Sequence, residues 1–159
     1  MTMRADRIIA SPIGHIYLVA EKGALIAVRT HHLPKYCHQG EEKDERILDQ
    51  AEEELEEYFR GERRTFDIPL HMEGTPFQRD VWQATAAVPY GQTATYGDIA
   101  CAIARPRVAR AVGMAENKNP IAIIVPCHRI IGANGKLAGY VGGTDIKRAL
   151  IRLEGIDIK

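Results

Sequence analysis

Residues 7–30 read RIIASPIGHIYLVAEKGALIAVRT. Short β-rich runs are broken at Pro12-Ile13-Gly14 and again at Glu21-Lys22-Gly23. Runs of this length, bounded by turn residues, predict two or three antiparallel strands joined by tight turns. The next stretch, HHLPKYCHQGEEKDE, is a polar loop. In ILDQAEEELEEYFRG, residues Ile47, Leu48, Ala51, Leu55, Tyr58 and Phe59 recur at helical spacing, and Gly61 follows as a C-cap. TFDIPL, residues 65–70, returns to an extended strand, and HMEGTP is a turn-rich linker.

The rest of the chain reads as mostly helical. Thr75-Pro76 opens a helix with proline at its first position, and Phe77, Val81, Trp82 and Thr85 share a face. VPYGQTATY is a loop. A short helix runs from Tyr96 to Ala104, Arg105-Pro106 breaks it, and another runs from Val108 to Glu116. Two short helices around a tight break predict a helix-turn-helix. Thr144 or Asp145 caps a last helix that runs to Glu154, with Gly155 closing it. The expected fold is α+β. Residues 1–72 form a small domain with an antiparallel sheet and a helix, and residues 73–159 a mostly helical domain with the helix-turn-helix.

Hydrophobic content of 45% and charged content of 26% are ordinary for a soluble globular chain of 159 residues. No apolar run reaches the roughly 18 residues that span a bilayer. The first residues, MTMRADRIIASPIG, carry no signal-peptide pattern, so a cytoplasmic location and no membrane partner are expected. The three cysteines, Cys37, Cys101 and Cys127, are odd in number and unpaired in spacing, which argues for a reducing compartment. Charge is uneven: residues 1–75 hold 10 Lys/Arg against 15 Asp/Glu, and residues 76–159 hold the remaining 11 against 6 of the chain's 21 and 21. A basic half fits a polyanion partner, and equally an acidic helix in the first half with ordinary scatter in the second.

Residues 121–131, IAIIVPCHRII, put a thiol, an imidazole and a guanidinium inside what otherwise looks like a buried strand. Buried charges cost several kcal/mol unless paired, so these groups have partners or form a site. His128 and Arg129 would supply positive potential that lowers the thiol pKa of Cys127. Neighbours in an extended chain point to opposite faces, so His128 needs a turn or a bridging water to reach the thiol. Inert packing is the alternative for Cys127. Glu154 falls at a helix C-terminus, where the macrodipole disfavours an anion by up to about 1 kcal/mol. Either it is solvated there, or it is held to orient an imidazole.

In RPRVARAVGMAENKNP, Arg105, Arg107 and Arg110 accompany the small residues Ala109, Ala111 and Gly113. Such a helix suits close approach to a phosphate backbone, or packing against another helix. GANGKLAGYVGG is glycine-rich, yet it has neither a Walker pattern nor a GxGxxG after a strand, so no nucleotide cofactor is expected. His31, His32, Cys37 and His38 match no standard zinc spacing and read as an exposed loop.

Taken in order, PYG, Tyr96, RAVG, NP, PCHR, GY, GG and LEG resemble the O6-alkylguanine-DNA alkyltransferase family (methylated-DNA–protein-cysteine methyltransferases). The likeness runs without a gap from Phe77 to Ile156. LEEYFRGERRTFDIPL extends it into the first domain, which by resemblance is ribonuclease H-like. The resemblance implies a monomeric, cofactor-free and metal-free DNA-repair protein. It would transfer the alkyl group from O6-alkylguanine, less readily O4-alkylthymine, in double-stranded DNA to Cys127, once per molecule. It makes His128 the residue that draws the thiol proton through a water, Glu154 the carboxylate behind it, and Asn119 the support of the turn. It makes Tyr96 the residue that crowds the target phosphate and Arg110 the side chain that replaces the flipped base. The helix bearing Ala109, Ala111 and Gly113 would enter the minor groove, and Tyr140, Val125, Val141 and Gly142 would line the guanine pocket.

Val141 departs from the serine or alanine that the family often has there, which bears on substrate breadth. Met114 replaces a second glycine. The rival readings are a non-catalytic alkyl-lesion-binding protein, from which Cys127 differs directly, a helix-turn-helix regulator, and a cysteine hydrolase.

Overall fold

A computed structural model of the chain describes residues 4–137, 140 and 143–157. The chain forms two compact units, residues 1–73 and 74–159.

In the first unit, β1 (Ala5–Ile9), β2 (Ile16–Glu21) and β3 (Ala24–Arg29) form an antiparallel sheet in the order β1-β2-β3. Between β2 and β3 the chain reverses through Lys22 and Gly23, both at positive φ (53° and 78°). That is the type I′ geometry whose twist matches the strands it joins. Helix α1 (Glu42–Phe59) covers the sheet with Leu48, Ala51, Leu55 and Tyr58, all fully buried. Asp44, in its first turn, accepts a hydrogen bond from Gly23 N at 2.8 Å and so ties the hairpin to the helix. Gly61 closes α1 at φ 76°, as its position predicts. The segment at 65–70 differs from expectation. It makes a single parallel bridge, Leu70 with Leu25, in place of a strand, because Pro69 removes one donor of a regular ladder.

The second unit holds α2 (Pro76–Ala86), α3 (Tyr96–Ala102), α4 (Ala109–Asn117) and α5 (Thr144–Leu153). Two-residue strands β4 (Ala94–Thr95) and β5 (Ile130–Ile131) pair in parallel. Helix α2 starts with a capping box: Gln78 N donates to Thr75 Oγ1 at 3.1 Å and Thr75 N to Gln78 Oε1 at 2.9 Å. Thr95 and Asp98 repeat the device on α3. Helix α3 stops at Ala102, two residues earlier than the sequence suggests, and Ala104 turns into the left-handed region at φ 62°. Neither Thr144 nor Asp145 caps α5, because Gly143 occupies the N-cap and no side chain bonds there. Its end is as expected, with Glu154 as C-cap and Gly155 at φ 76°.

Trp82, the chain's single tryptophan, joins α2 to α4: it is buried, and its Nε1–H donates to Ala115 O at 2.9 Å. A Cβ placed on Gly74 would lie 2.6 Å from the Trp82 ring. Gly74→Ala is therefore expected to displace that ring and lower stability by about 1–3 kcal/mol. Denaturant titration followed by Trp82 fluorescence measures it, and an unchanged midpoint would show that the ring yields freely.

Candidate functional site

The site begins where α4 ends. Asn119 follows the Lys118 C-cap, and its side chain holds the next loop on three atoms. Oδ1 accepts from Ile121 N at 3.0 Å, while Nδ2 donates to Val125 O at 2.9 Å and to Cys127 Sγ at 3.2 Å. Folded back in this way, residues 121–127 close tight turns through Val125 N to Ile121 O (3.0 Å) and Cys127 N to Val125 O (2.8 Å). Ile123 sits at φ 73°, a costly conformation for a β-branched residue. The extended strand expected for this run is thus replaced by turns, and Cys127–Arg129 form a 3-10 turn. Successive side chains of such a turn are rotated rather than opposed, and Cys127, His128 and Arg129 are all buried.

Each polar group of that turn has a partner except one atom. Glu154 is buried, and Arg129 grips it with Nε to Oε1 at 2.8 Å and Nη2 to Oε2 at 3.0 Å. Arg129 Nη1 also donates to Val88 O at 2.8 Å, and Gly91 N donates to Glu154 Oε1 at 3.2 Å. His128 Nε2 lies 2.6 Å from Glu154 Oε2. Burial lowers the His128 pKa, against the pull of Glu154, so the ring is neutral. With a carboxylate on Nε2, the hydrogen is assigned to Nε2 and Nδ1 becomes a lone-pair acceptor. Nδ1 is buried and has no hydrogen-bond partner among the described residues.

The thiol differs from expectation. Burial pushes Cys127 up to about 12, and the charge of Glu116 adds to this; Asn119, Lys147 and Tyr140 oppose it. The cation that favours the thiolate is Lys147, because Arg129 is committed to Glu154. Lys147 is fully buried, donates from Nζ to Ile130 O at 2.6 Å and lies 5.8 Å from the Tyr96 ring centroid. Glu116 is buried, takes a short hydrogen bond from the Thr85 hydroxyl, and is pushed by burial up to about 7. Sequence reasoning missed Glu116 and Lys147. The signal lay in spacing: Glu116 shares the buried stripe of Val112, and Lys147 sits four residues before Ile151 and seven before Glu154.

The remaining expected residues fall as follows. Tyr96 opens α3 half-buried, and burial, with Glu116 and Cys127 nearby, pushes its hydroxyl up to about 12. Tyr140 is buried and acts to lower the pKa of the thiol. Arg110 and Met114 are exposed on α4, whereas Val112, Ala115 and Glu116 face inward. A Cβ on Gly113 would meet the Tyr96 ring at 3.7 Å, an ordinary contact, so that ring does not require the glycine. Val141 and Gly142 lie outside the described residues. His31 and His32 stack edge to face, and Cys37 and His38 are exposed. Among the described residues no group of three or more His, Cys, Asp and Glu side chains is placed to hold a metal ion, and no helix is long and apolar enough to cross a membrane.

Two family models match the chain. Residues 6–72 match the ribonuclease-like domain, and residues 76–156 the DNA-binding domain, of 6-O-methylguanine DNA methyltransferase. The methylated-DNA–protein-cysteine methyltransferase of Methanosarcina acetivorans is 49% identical over 150 residues, covering 93% of this chain and 96% of that protein. The Mycobacterium tuberculosis protein of the same name is 47% identical over 158 residues, 93% of this chain and 90% of that one. A crystal structure of Mycobacterium tuberculosis OGT in complex with DNA superposes with a TM-score of 0.84 at 45% identity, over 94% of this chain and 92% of that one. With both units matched and near-half identity along almost its whole length, the chain belongs to the 6-O-methylguanine DNA methyltransferase family.

Proposed function

We propose that this chain repairs DNA directly, by moving the alkyl group of O6-alkylguanine, and less readily of O4-alkylthymine, onto Cys127 in an irreversible single displacement. The observation that carries this reading is the setting of the thiol. It is held at 3.2 Å by Asn119, and the next residue is a neutral imidazole whose far nitrogen is fixed on Glu154. The DNA complex of the Mycobacterium tuberculosis relative supports DNA as the partner.

The resting thiol is protonated, so the reaction starts with proton removal. Nδ1 of His128 is the acceptor, through a bridging water, and Glu154 steadies the imidazolium that forms. As the Sγ–C bond forms, the C–O6 bond breaks and its electron pair goes to the guanine, which leaves after taking a proton. Tyr96 is a candidate donor, since its hydroxyl keeps its proton far above neutrality. A thiol cannot reach a base inside a stack, so the nucleotide must be flipped. In this reading α3 and α4 are the helix-turn-helix and α4 lies in the minor groove. There Ala109, Ala111 and Gly113 permit close approach, Arg110 fills the vacated stack and Tyr96 crowds the target phosphate. Tyr140 and the backbone of Val125 line the guanine pocket; Val141 and Gly142 join them by resemblance.

Incubation with DNA containing O6-methylguanine should add one methyl per chain, on Cys127. Cys127→Ala should abolish it while DNA binding persists. Intact mass and peptide mapping test this; repeated turnovers, or a methyl on exposed Cys37 or Cys101, would refute it. A non-catalytic lesion binder would show no mass change at all.

Arg110→Ala is expected to slow repair in duplex DNA and barely alter transfer from free O6-benzylguanine. Equal losses on both substrates would place Arg110 in the chemistry instead. Undamaged-duplex affinity should fall with rising salt, because contacts to phosphate release counterions.

Alkylation should destabilise the protein. Cys127 is 3% exposed, and an added methyl in a close-packed interior strains neighbours by about 1–3 kcal/mol. Benzyl should lower the melting temperature more than methyl, and a temperature unchanged by either adduct would show spare room around Sγ.

A further inference from the structure

We infer that Met114 is a DNA-contact residue: it packs against the deoxyribose wall of the minor groove and, with the apolar cleft beside it, extends the duplex contact of α4 one helical turn beyond Arg110. The inference rests on the reading of α4 as the DNA-facing helix.

Helix α4 divides into two faces. Val112, Ala115 and Glu116 are buried, while Arg110, Met114, Asn117 and the C-cap Lys118 are exposed. Met114 is 66% exposed, and among the described residues of this unit it is the large apolar side chain left in water. Arg110 and Met114 stand four residues apart, so they share a face, about 6 Å apart along the helix axis. Beside Met114 an apolar cleft runs between α4 and the start of α2, lined by Phe77, Gln78, Ala111 and Lys118. Arg105 sets its Cζ 5.5 Å from the Phe77 ring centroid, which brings a further cation to the same region.

Charge identifies the occupant. From Ile99 to Gly143 the sole acidic residue is Glu116, and it is buried. Arg129 is buried on Glu154, so the exposed charges of this segment are Arg105, Arg107, Arg110, Lys118 and Lys136, all of them cationic. A second copy of the chain, meeting this face across a two-fold axis, would set those cations against their own counterparts. Duplex DNA satisfies both features at once, because its phosphates carry the opposite charge and the sugars between them give the groove an apolar wall. Proteins that enter the minor groove combine Arg, Lys and Asn with apolar side chains such as Met. Arg110, Met114 and Asn117 present that set on one face, and the unbranched thioether chain adapts to an irregular wall.

Fluorescence anisotropy with a labelled, undamaged DNA duplex, repeated over a range of salt concentrations, compares the full-length parent with its variants. Met114→Ala and Met114→Gln should each weaken binding about five- to tenfold and leave the salt slope unchanged, because an apolar contact releases no counterion. Met114→Leu, which keeps an apolar side chain of similar volume, should bind like the parent. Lys118→Ala, at the rim of the cleft, should instead flatten the salt slope by about one. The melting temperatures of the Met114 variants should match the parent's, since the side chain lies on the surface. Parent-like affinity in both Met114→Ala and Met114→Gln would overturn the inference, as would weaker binding that tracks a lowered melting temperature. A parent dimer that Met114→Gln dissolves with no change in DNA affinity per chain would also overturn it, by giving the cleft to a second copy. A parent that binds no duplex at all would refute the reading of α4 and this inference with it, whereas normal binding by the parent and both variants would refute this inference alone.

Discussion

Everything around the thiol depends on one buried carboxylate. Glu154 stands at the end of α5, where the helix dipole opposes it, and has no exposure to water on its side chain. It persists there because Arg129, His128 and Gly91 converge on its two oxygens. Removing one partner of a buried ion pair costs about 3–5 kcal/mol, which exceeds the cost of most surface changes several-fold. Three separate segments meet at this point: the loop after α2, the 3-10 turn and the end of α5. The interaction thus fixes the turn that carries Cys127, and it also fixes the histidine tautomer.

Holding the thiol in this frame has a consequence for its reactivity. Burial alone opposes the thiolate, and the nearest carboxylate, Glu116, opposes it further. Asn119, Tyr140 and Lys147 act the other way without overcoming the burial. A thiolate stabilised in the resting state would react with any soluble alkylating agent. A neutral thiol beside an oriented base ionises only when an electrophile and a proton acceptor are both in place. Cys37 and Cys101 are exposed, so in the proposed reaction burial and geometry are what set Cys127 apart.

Much of this was legible in the sequence, and what was not has a physical reason. The hairpin at Lys22-Gly23, the cap at Thr75-Pro76 and the end of α5 at Gly155 are written in local chemistry, since a few adjacent residues decide each. The run 121–125 is not. Five apolar residues in a row, three of them isoleucine, predict a strand, and Asn119 overrides that preference by holding Ile121, Val125 and Cys127 at once. TFDIPL forms only one bridge, to Leu25 on the free edge of β3, because Pro69 lacks a donor for a longer ladder. Cys127, His128 and Glu154 stood out as groups that burial would penalise. The sequence suggests that Arg129 acts on the thiol, whereas its partner is Glu154, 25 residues away and met only through the fold. Lys147 and Glu116 escaped because a charged residue on a short helix reads as solvated until the apolar stripe beside it is seen.

The same burial fits the proposed single use of Cys127. A thioether carbon is a poor electrophile, and returning the protein to its thiol would require a nucleophile to enter the space that Asn119, Tyr140 and the 3-10 turn close around sulfur. A hydrolase with a cysteine nucleophile needs the reverse arrangement, with an acyl intermediate open to water and an imidazole in direct contact with the thiol. Here the only imidazole nitrogen engaged is the one on Glu154, and no direct bond joins His128 to Cys127 among the described residues. In the proposed reaction a bridging water between them would suffice to remove one proton. In that reaction, the frame that buries the thiol also shields the thioether formed from it.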